Sequence, residues 1–169
     1  MLKIVLIAIG AILLICIIIY NLLVSKRNQA ENAFATIDVM LKKRFDLIPN
    51  LVTIAKQYAE HEKEVFSKIA QMRSMNYAKM SDTDKMELDN NFNKAEERLL
   101  VIAENYPELK ASENFLQLQR TLNETEEQLA AARRTYNAAV TDYNNSVQSF
   151  PSNLIANSFK FTRKEVYKY

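Results

Sequence analysis

Few side chains in this sequence could do chemistry. His61 is the only histidine and Cys16 is the only cysteine among 169 residues. A di-iron site in a helical bundle needs Glu-x-x-His on two helices, and a zinc site needs further thiols or imidazoles. No Cys-His set is possible with Cys16 inside a long apolar run, and with Gly10 as the only glycine no loop can cradle a phosphate. We predict no catalytic residue, no metal ligand and no cofactor, and we expect His61 on a helix surface or at a helix seam.

Carboxylates and bases follow one another in the last long segment. Glu124, Glu126 and Glu127 precede Arg133 and Arg134. Acids followed by bases along a long helix are normally exposed ion pairs that contribute tenths of a kcal/mol each. We interpret these residues as surface ion pairs rather than as paired catalytic acids.

A Tyr-Asn pair occurs twice in the same segment. Tyr136-Asn137 and Tyr143-Asn144 are seven residues apart, which is two turns on one helix face. In one interpretation the tyrosines lie at a helix seam and the asparagines satisfy backbone or cross-helix partners. In the other, the four side chains form a ladder between subunits, where buried amides fix register and partner choice. The second interpretation makes them candidate self-association residues.

Basic and aromatic residues alternate at the end of the chain, from Ser158 to Tyr169. The basic ones are Lys160, Arg163, Lys164 and Lys168. This composition suits anionic headgroups with aromatic rings at the interface, so we interpret these four residues as candidate membrane-surface contacts. The alternative is a solvated, disordered end. Nucleic acid is a weaker interpretation, because four basic residues give little phosphate affinity at physiological salt, and we predict no nucleic-acid partner.

The first helix of the chain begins with a predicted membrane anchor, which must position the residues described above. Twenty-one residues between Lys3 and Ser25 carry no charge, enough at 1.5 Å per residue to cross about 30 Å of hydrocarbon. A cleaved signal peptide or lipoprotein leader fits badly, because the run is too long and no small-residue cleavage site follows it. We predict a transmembrane anchor at residues 1–25 that continues without a break into the first soluble helix.

The rest of the chain favours an all-α fold, an up-and-down four-helix bundle at residues 26–151 followed by a tail at 152–169. Pro49 is expected to force a kink or a new helix start, Ser81 to cap the third helix, and Pro151 to close the fourth near the bilayer. The predicted inward positions recur at helical spacing. They are Ala30, Phe34, Ile37, Leu41, Ile48, Leu51, Ile54, Tyr58, Val65, Ile69, Met72, Leu88, Phe92, Ala95, Leu99, Ile102, Tyr106, Phe115, Leu118, Leu122, Thr125, Leu129, Ala132, Tyr136, Ala139, Tyr143, Val147 and Phe150.

Several strings of the chain resemble the LemA family of bacterial membrane proteins. In chain order they are YNLLVSKRNQAENAF, LKKRFDLIPNLV, YAEHE, ENYPELKA, LQLQRTLNETEEQLAAARRTYNAAVTDYNNSV and FPSNLIA. The resemblance implies an N-terminal membrane helix, a helical up-and-down bundle and no established catalytic activity. It also implies a family whose function is poorly defined, with membrane organisation among the proposals.

Two classes of function remain open at this point. The first is a non-enzymatic, membrane-anchored scaffold that self-associates, with membrane lipids and further copies of itself as partners. The second is an accessory or regulatory subunit that docks onto another membrane protein, such as a protease or a sensor kinase. The resemblance to a family of bacterial membrane proteins implies the bacterial inner membrane. Lys42, Lys43 and Arg44 follow the anchor, so the positive-inside bias favours an orientation with the bundle in the cytoplasm.

Overall fold

Seven helical segments occur in the described part of the chain. The computed structural model describes residues 1–168, apart from the side chains of Ile48 and Arg73. No strand occurs in that part of the chain, so the all-α prediction is confirmed. The segments are α1 (Leu2–Tyr58), α2 (Lys63–Ser74), a 3-10 turn (Tyr77–Lys79), α3 (Asp82–Asn105), α4 (Pro107–Lys110), α5 (Glu113–Gln148) and α6 (Ser152–Ser158).

Helix α1 joins the apolar run to the soluble part of the chain without interruption. By length and composition its first part could cross a membrane, and no residue of its most apolar 18-residue stretch is buried in the protein. Water would disfavour so much exposed apolar surface, whereas lipid would not. The predicted continuation of the anchor into the first soluble helix is confirmed.

Helix α1 also passes through Pro49 and ends only at Tyr58. The predicted new helix start at Pro49 is therefore wrong. A proline removes one backbone donor, and the remaining backbone bonds continue the helix here while Leu51 and Ala55 pack into the core. The break falls instead at residues 59–62, before α2.

By packing, the chain forms two compact units. The first unit comprises residues 1–35 and 132–168, and the second comprises residues 36–131. The division into an anchor at 1–25, a bundle at 26–151 and a tail at 152–169 stays a prediction. The ladder of Tyr-Asn pairs lies in the first unit.

The second unit contains all of α2, α3 and α4 and parts of α1 and α5. Most predicted inward positions are buried, but Ala55 and Phe66 take the inward places predicted for Ile54 and Val65, which are half-buried. Because α1 continues through Pro49, Ala55 rather than Ile54 follows Leu51 on the buried face, and the break at residues 59–62 shifts the helical phase again before Phe66. The Ile48 side chain lies outside the description. The buried apolar residues of this unit include Ile37, Leu41, Leu51, Ile69, Met72, Leu88, Phe92, Leu99, Ile102, Phe115, Leu118, Leu122 and Leu129.

The start of α3 shows the predicted cap. The Ser81 hydroxyl accepts from the Asp84 backbone N–H at 3.2 Å, and the Asp84 carboxylate accepts from the Ser81 backbone N–H at 3.1 Å. This reciprocal pair is a capping box. The hydrogen bonds from Ser81 hold the pKa of Asp84 below its usual range.

Helix α5 is shorter at its end than predicted. It stops at Gln148, and the Phe150 side chain is 80% exposed rather than inward. The residue before a proline is disfavoured in helical conformation, so Pro151 ends the helix earlier than the apolar pattern suggests. Val140 is buried where the pattern placed Ala139, which is half-buried.

Candidate functional site

The Tyr-Asn ladder, Tyr136, Asn137, Tyr143 and Asn144, holds the end of the chain. We call residues 159–168, which follow α6 in irregular conformation, the C-terminal strap. The strap runs along the face of α5 that carries the ladder. Tyr136, Tyr143 and Asn144 are buried and Asn137 is half-buried.

Each asparagine of the ladder binds one strap residue by two hydrogen bonds. Asn144 Nδ2 donates to the Lys164 carbonyl at 2.8 Å, and the Lys164 N–H donates to Asn144 Oδ1 at 2.9 Å. Asn137 pairs with the backbone of Tyr167 in the same way, at 3.0 and 2.7 Å. A primary amide carries a donor and an acceptor as a peptide group does. The two asparagines therefore pair with the strap as a neighbouring strand would.

The seven-residue repeat has a geometric reason. Two helical turns advance about 10.5 Å, and three residues of extended chain advance about 10 Å. The asparagines are seven apart on α5, and their partners, Lys164 and Tyr167, are three apart on the strap. The repeat in the sequence thus matches the period of an extended segment running antiparallel to the helix.

The tyrosines of the ladder also bind the strap backbone. The Tyr143 hydroxyl donates to the Thr162 carbonyl at 2.9 Å, and the Tyr136 hydroxyl donates to the Glu165 carbonyl at 3.0 Å. Burial raises the pKa of Tyr143. Its hydroxyl therefore stays a neutral donor across the physiological range.

A tight turn leads from α6 into the strap. The Phe161 N–H donates to the Ala156 carbonyl at 2.9 Å, the Lys160 N–H donates to the Asn157 carbonyl at 3.4 Å, and Lys160 has a φ of 57°. These features form a Schellman motif, in which a residue in the left-handed region follows the helix. The motif includes an apolar contact, because Phe161 and Ala156 belong to one buried cluster.

Two aromatic side chains of the strap are buried beneath cations. The Arg27 guanidinium lies 5.2 Å from the centroid of the Phe161 ring, and the Arg133 guanidinium lies 5.0 Å from that of Tyr167. Phe161 is 7% exposed and Tyr167 is 2% exposed. Arg133 is itself buried, so its interpretation as a surface ion-pair residue is wrong. Its guanidinium packs against the Tyr167 ring of the strap, and no local pattern on α5 could indicate that contact.

The four basic residues predicted at the membrane surface take different positions. Lys164 Nζ lies 3.3 Å from a Glu31 carboxylate oxygen, and the Arg163 guanidinium lies 3.0 Å from the side-chain amide of Gln148. Lys160 and Lys168 are exposed. The strap is a docked segment, so the alternative interpretation as a disordered end is wrong. Membrane contact by these residues stays a prediction.

A second constellation, which the sequence analysis missed, lies inside the second unit. Arg44 is 3% exposed and donates to Asp89 at 3.0 Å, to Glu126 at 2.8 Å and to Glu96 at 2.5 Å. Its guanidinium also lies 4.5 Å from the centroid of the Phe92 ring. The signal was present, because Arg44 follows Leu41 by three residues and so occupies an inward position. The cluster joins α1, α3 and α5, and the Glu126 side chain takes part in it while remaining 38% exposed.

Neither His61 nor Cys16 belongs to a metal-binding group in the part of the chain that the structure describes. His61 is exposed in the turn between α1 and α2 rather than on a helix surface, because α1 ends before it. Within residues 1–168, no group of three or more histidine, cysteine, aspartate or glutamate side chains is arranged to hold a metal ion. The most distinctive arrangement of side chains is therefore the Tyr-Asn ladder, which binds the extended backbone of the strap.

Comparison with known proteins matches residues 33–169 to the family model of the LemA family. The chain is 29% identical over 137 residues to the protein LemA of Metamycoplasma hominis, covering 80% of this chain and 63% of that protein. It is 24% identical over 175 residues to the magnetosome proteins MamQ 1 and MamQ 2 of Paramagnetospirillum magneticum, covering 88% of this chain and 64% of each. The chain therefore spans slightly less than two thirds of the length of these relatives.

Proposed function

We propose that this chain, which belongs to the LemA family, is a non-enzymatic, membrane-anchored helical scaffold that self-associates at a bacterial membrane and organises or shapes it. The apolar first part of α1 supports the anchoring. Membership of the LemA family and the likeness to the magnetosome proteins MamQ 1 and MamQ 2 support a role at a membrane. The Tyr-Asn ladder supports the self-association.

The ladder recognises backbone rather than particular side chains. Asn137 and Asn144 together make four hydrogen bonds to the strap backbone, and the tyrosines add two more. The amides are already paired within one copy, so self-association through them takes the form of strap exchange. The strap of a second copy is identical, and it can replace the first with no loss of hydrogen bonds.

The anchor makes such exchange easier. Copies held in one bilayer meet at a much higher effective concentration than copies free in solution. Exchange costs the opening of one strap and returns the same contacts in the neighbouring copy. The scaffold is thus an array of anchored copies linked by their C-terminal straps.

A cross-linking experiment with two tags tests strap exchange. Full-length chains with Cys16→Ser are co-expressed, one carrying Gln148→Cys and the other Arg163→Cys, and membranes are treated with a short bis-maleimide. These two side chains are in contact where the strap is docked. We expect a cross-linked product that carries both tags. A chain with both cysteines supplies the positive control, and exposed Glu97→Cys in place of Arg163→Cys supplies the matched negative control.

The same preparation decides between the two classes of function. A product with both tags supports the scaffold. Cross-linking confined to the chain with both cysteines, together with recovery of one stoichiometric foreign membrane protein, would contradict it and favour the accessory subunit.

We also place the part of the chain after the anchor in the cytoplasm. A cysteine at exposed Glu97 should then resist an impermeant thiol reagent on intact cells, and rapid labelling would reverse this orientation.

A further inference from the structure

Three large apolar side chains are exposed in and beside α6 in the first unit, one within the helix and one on either side of it. Phe150 is 80% exposed, Leu154 is 57% exposed and Phe159 is 60% exposed. Of the eight phenylalanines of the chain, Phe150 and Phe159 are the two classed as exposed. We call these three residues the α6 edge. So much aromatic surface within ten residues of chain is costly in water and indicates a covering partner.

The position of α6 identifies the partner. Its Ala156 belongs to a buried cluster with Leu23 of α1, and Ile155 and Ile19 pack against that cluster. The Phe159 ring lies 4.8 Å, centroid to centroid, from the ring of Tyr20. The α6 segment therefore packs beside the last turns of the apolar run.

The depth of this contact can be read along α1. Tyr20 is eighteen residues beyond Leu2, about 27 Å along the helix at 1.5 Å per residue, against a hydrocarbon thickness of about 30 Å. Lys26 and Arg27 follow within two turns and mark the headgroup region. Tyr20 and the ring stacked on it thus lie at the boundary between acyl chains and headgroups, where aromatic side chains are preferred.

We propose that the α6 edge inserts into the acyl–headgroup boundary of the bilayer that α1 crosses. The chain then contacts the membrane at two points, the spanning helix and a short interfacial helix beside it. The sequence predicts membrane contact by the basic residues, and this proposal assigns that contact to the apolar residues of the α6 edge instead. Exposed Lys160, next to Phe159, then lies at headgroup level. The inference uses only the anchoring part of the proposed function, so its failure would leave self-association untouched.

Single tryptophans test the insertion, because the chain has none of its own. Full-length Phe159→Trp is reconstituted in vesicles of ordinary phosphatidylcholine and of the same lipid brominated on its acyl chains. We expect emission that is blue-shifted and loses most of its intensity in the brominated vesicles. Phe150→Trp should behave in the same way, which guards against a local effect at one site.

Two control positions bracket the expected result. Leu13→Trp, in the middle of the apolar run, should be quenched by the brominated lipid. Val166→Trp, an exposed apolar position in the strap near Asn137, should not be quenched. The proposal is overturned if Phe159→Trp is quenched no more than Val166→Trp. Blue-shifted emission without quenching would also overturn it, because that would show protein rather than lipid over the α6 edge.

Discussion

An asparagine side chain can stand in for a peptide group, and two of them here hold a chain terminus. Asn144 and Asn137 each offer a donor and an acceptor to one strap residue, at distances of 2.7 to 3.0 Å. Asn144 is buried, so an alanine there would leave the Lys164 backbone groups without those partners. At this scale the sequence indicated the residues and their common helix face. It could not indicate the partner, since the strap is twenty to thirty residues away along the chain.

Asn144→Ala should loosen the strap. Losing the partner of a buried donor and acceptor costs about 1–3 kcal/mol, which raises the open population of the strap about 5- to 150-fold. Trypsin cleavage after Arg163 and Lys164 in full-length protein measures that population. The matched control is Asn145→Ala, because Asn145 is exposed and adjacent. Equal cleavage rates for the two variants would show that the ladder does not hold the strap.

At the scale of helices, the pattern of apolar residues predicted most of the core, and charges at inward positions explain part of what it missed. Leu88, Phe92, Leu99 and Ile102 are buried as predicted. The phase error after Pro49 arises because a proline inside a helix and a proline that ends one look alike in sequence. The pattern treats charges as surface features, so it overlooked Arg44 and Asp89.

Arg44→Met should destabilise the second unit strongly. The change leaves the buried Asp89 carboxylate without its guanidinium partner, and breaking a buried ion pair costs about 3–5 kcal/mol. For a chain of this size, that lowers the thermal midpoint by about 6–20 °C at 2–4 °C per kcal/mol. Circular dichroism of full-length protein in detergent measures it, with exposed Lys43→Met as the neighbouring control. A shift no larger than that of the control would exclude a structural role for the cluster.

Asp38 of α1 makes a pH-dependent contribution to stability through its ion pair with Lys85 of α3. Partial burial alone would raise its pKa, but hydrogen bonds from Lys85 and Tyr77 and the charge of Lys85 hold the pKa below its ordinary value of 3.8. A lowered folded-state pKa stabilises the protein above the unfolded value, and that stability is lost as the pH falls through the folded-state pKa. Because the side chain is 37% exposed, we expect only about 0.2–1 kcal/mol.

Asp38→Asn should therefore lower the thermal midpoint slightly at pH 7 and have little effect at a strongly acid pH, below the lowered folded-state pKa of Asp38. The control is Asp46→Asn, since Asp46 pairs with Lys42 on the exposed face of the same helix at 3.0 Å. An equal loss for Asp38→Asn at both pH values would mean that the effect is not electrostatic. Melting curves of full-length protein in detergent across this range give the comparison.

At the scale of the whole molecule, the chain combines a long helix with an apolar first part, further helices and a docked strap. The fold class and family could be predicted from the sequence because helical periodicity and the apolar run are local signals. The docking of the strap could not, since it depends on contacts between Glu31 and Lys164 and between Arg27 and Phe161, far apart along the chain. Those contacts turn a basic, aromatic tail into a structural element.

The number of chains in one particle tests self-association most directly. Full-length protein is extracted from its membrane with the surrounding lipid in polymer-bounded discs, and the mass of each particle is measured. We predict particles with two or more chains, and a shift toward single chains when residues 159–168 are removed. Particles that hold one chain each, with or without the strap, would contradict the account.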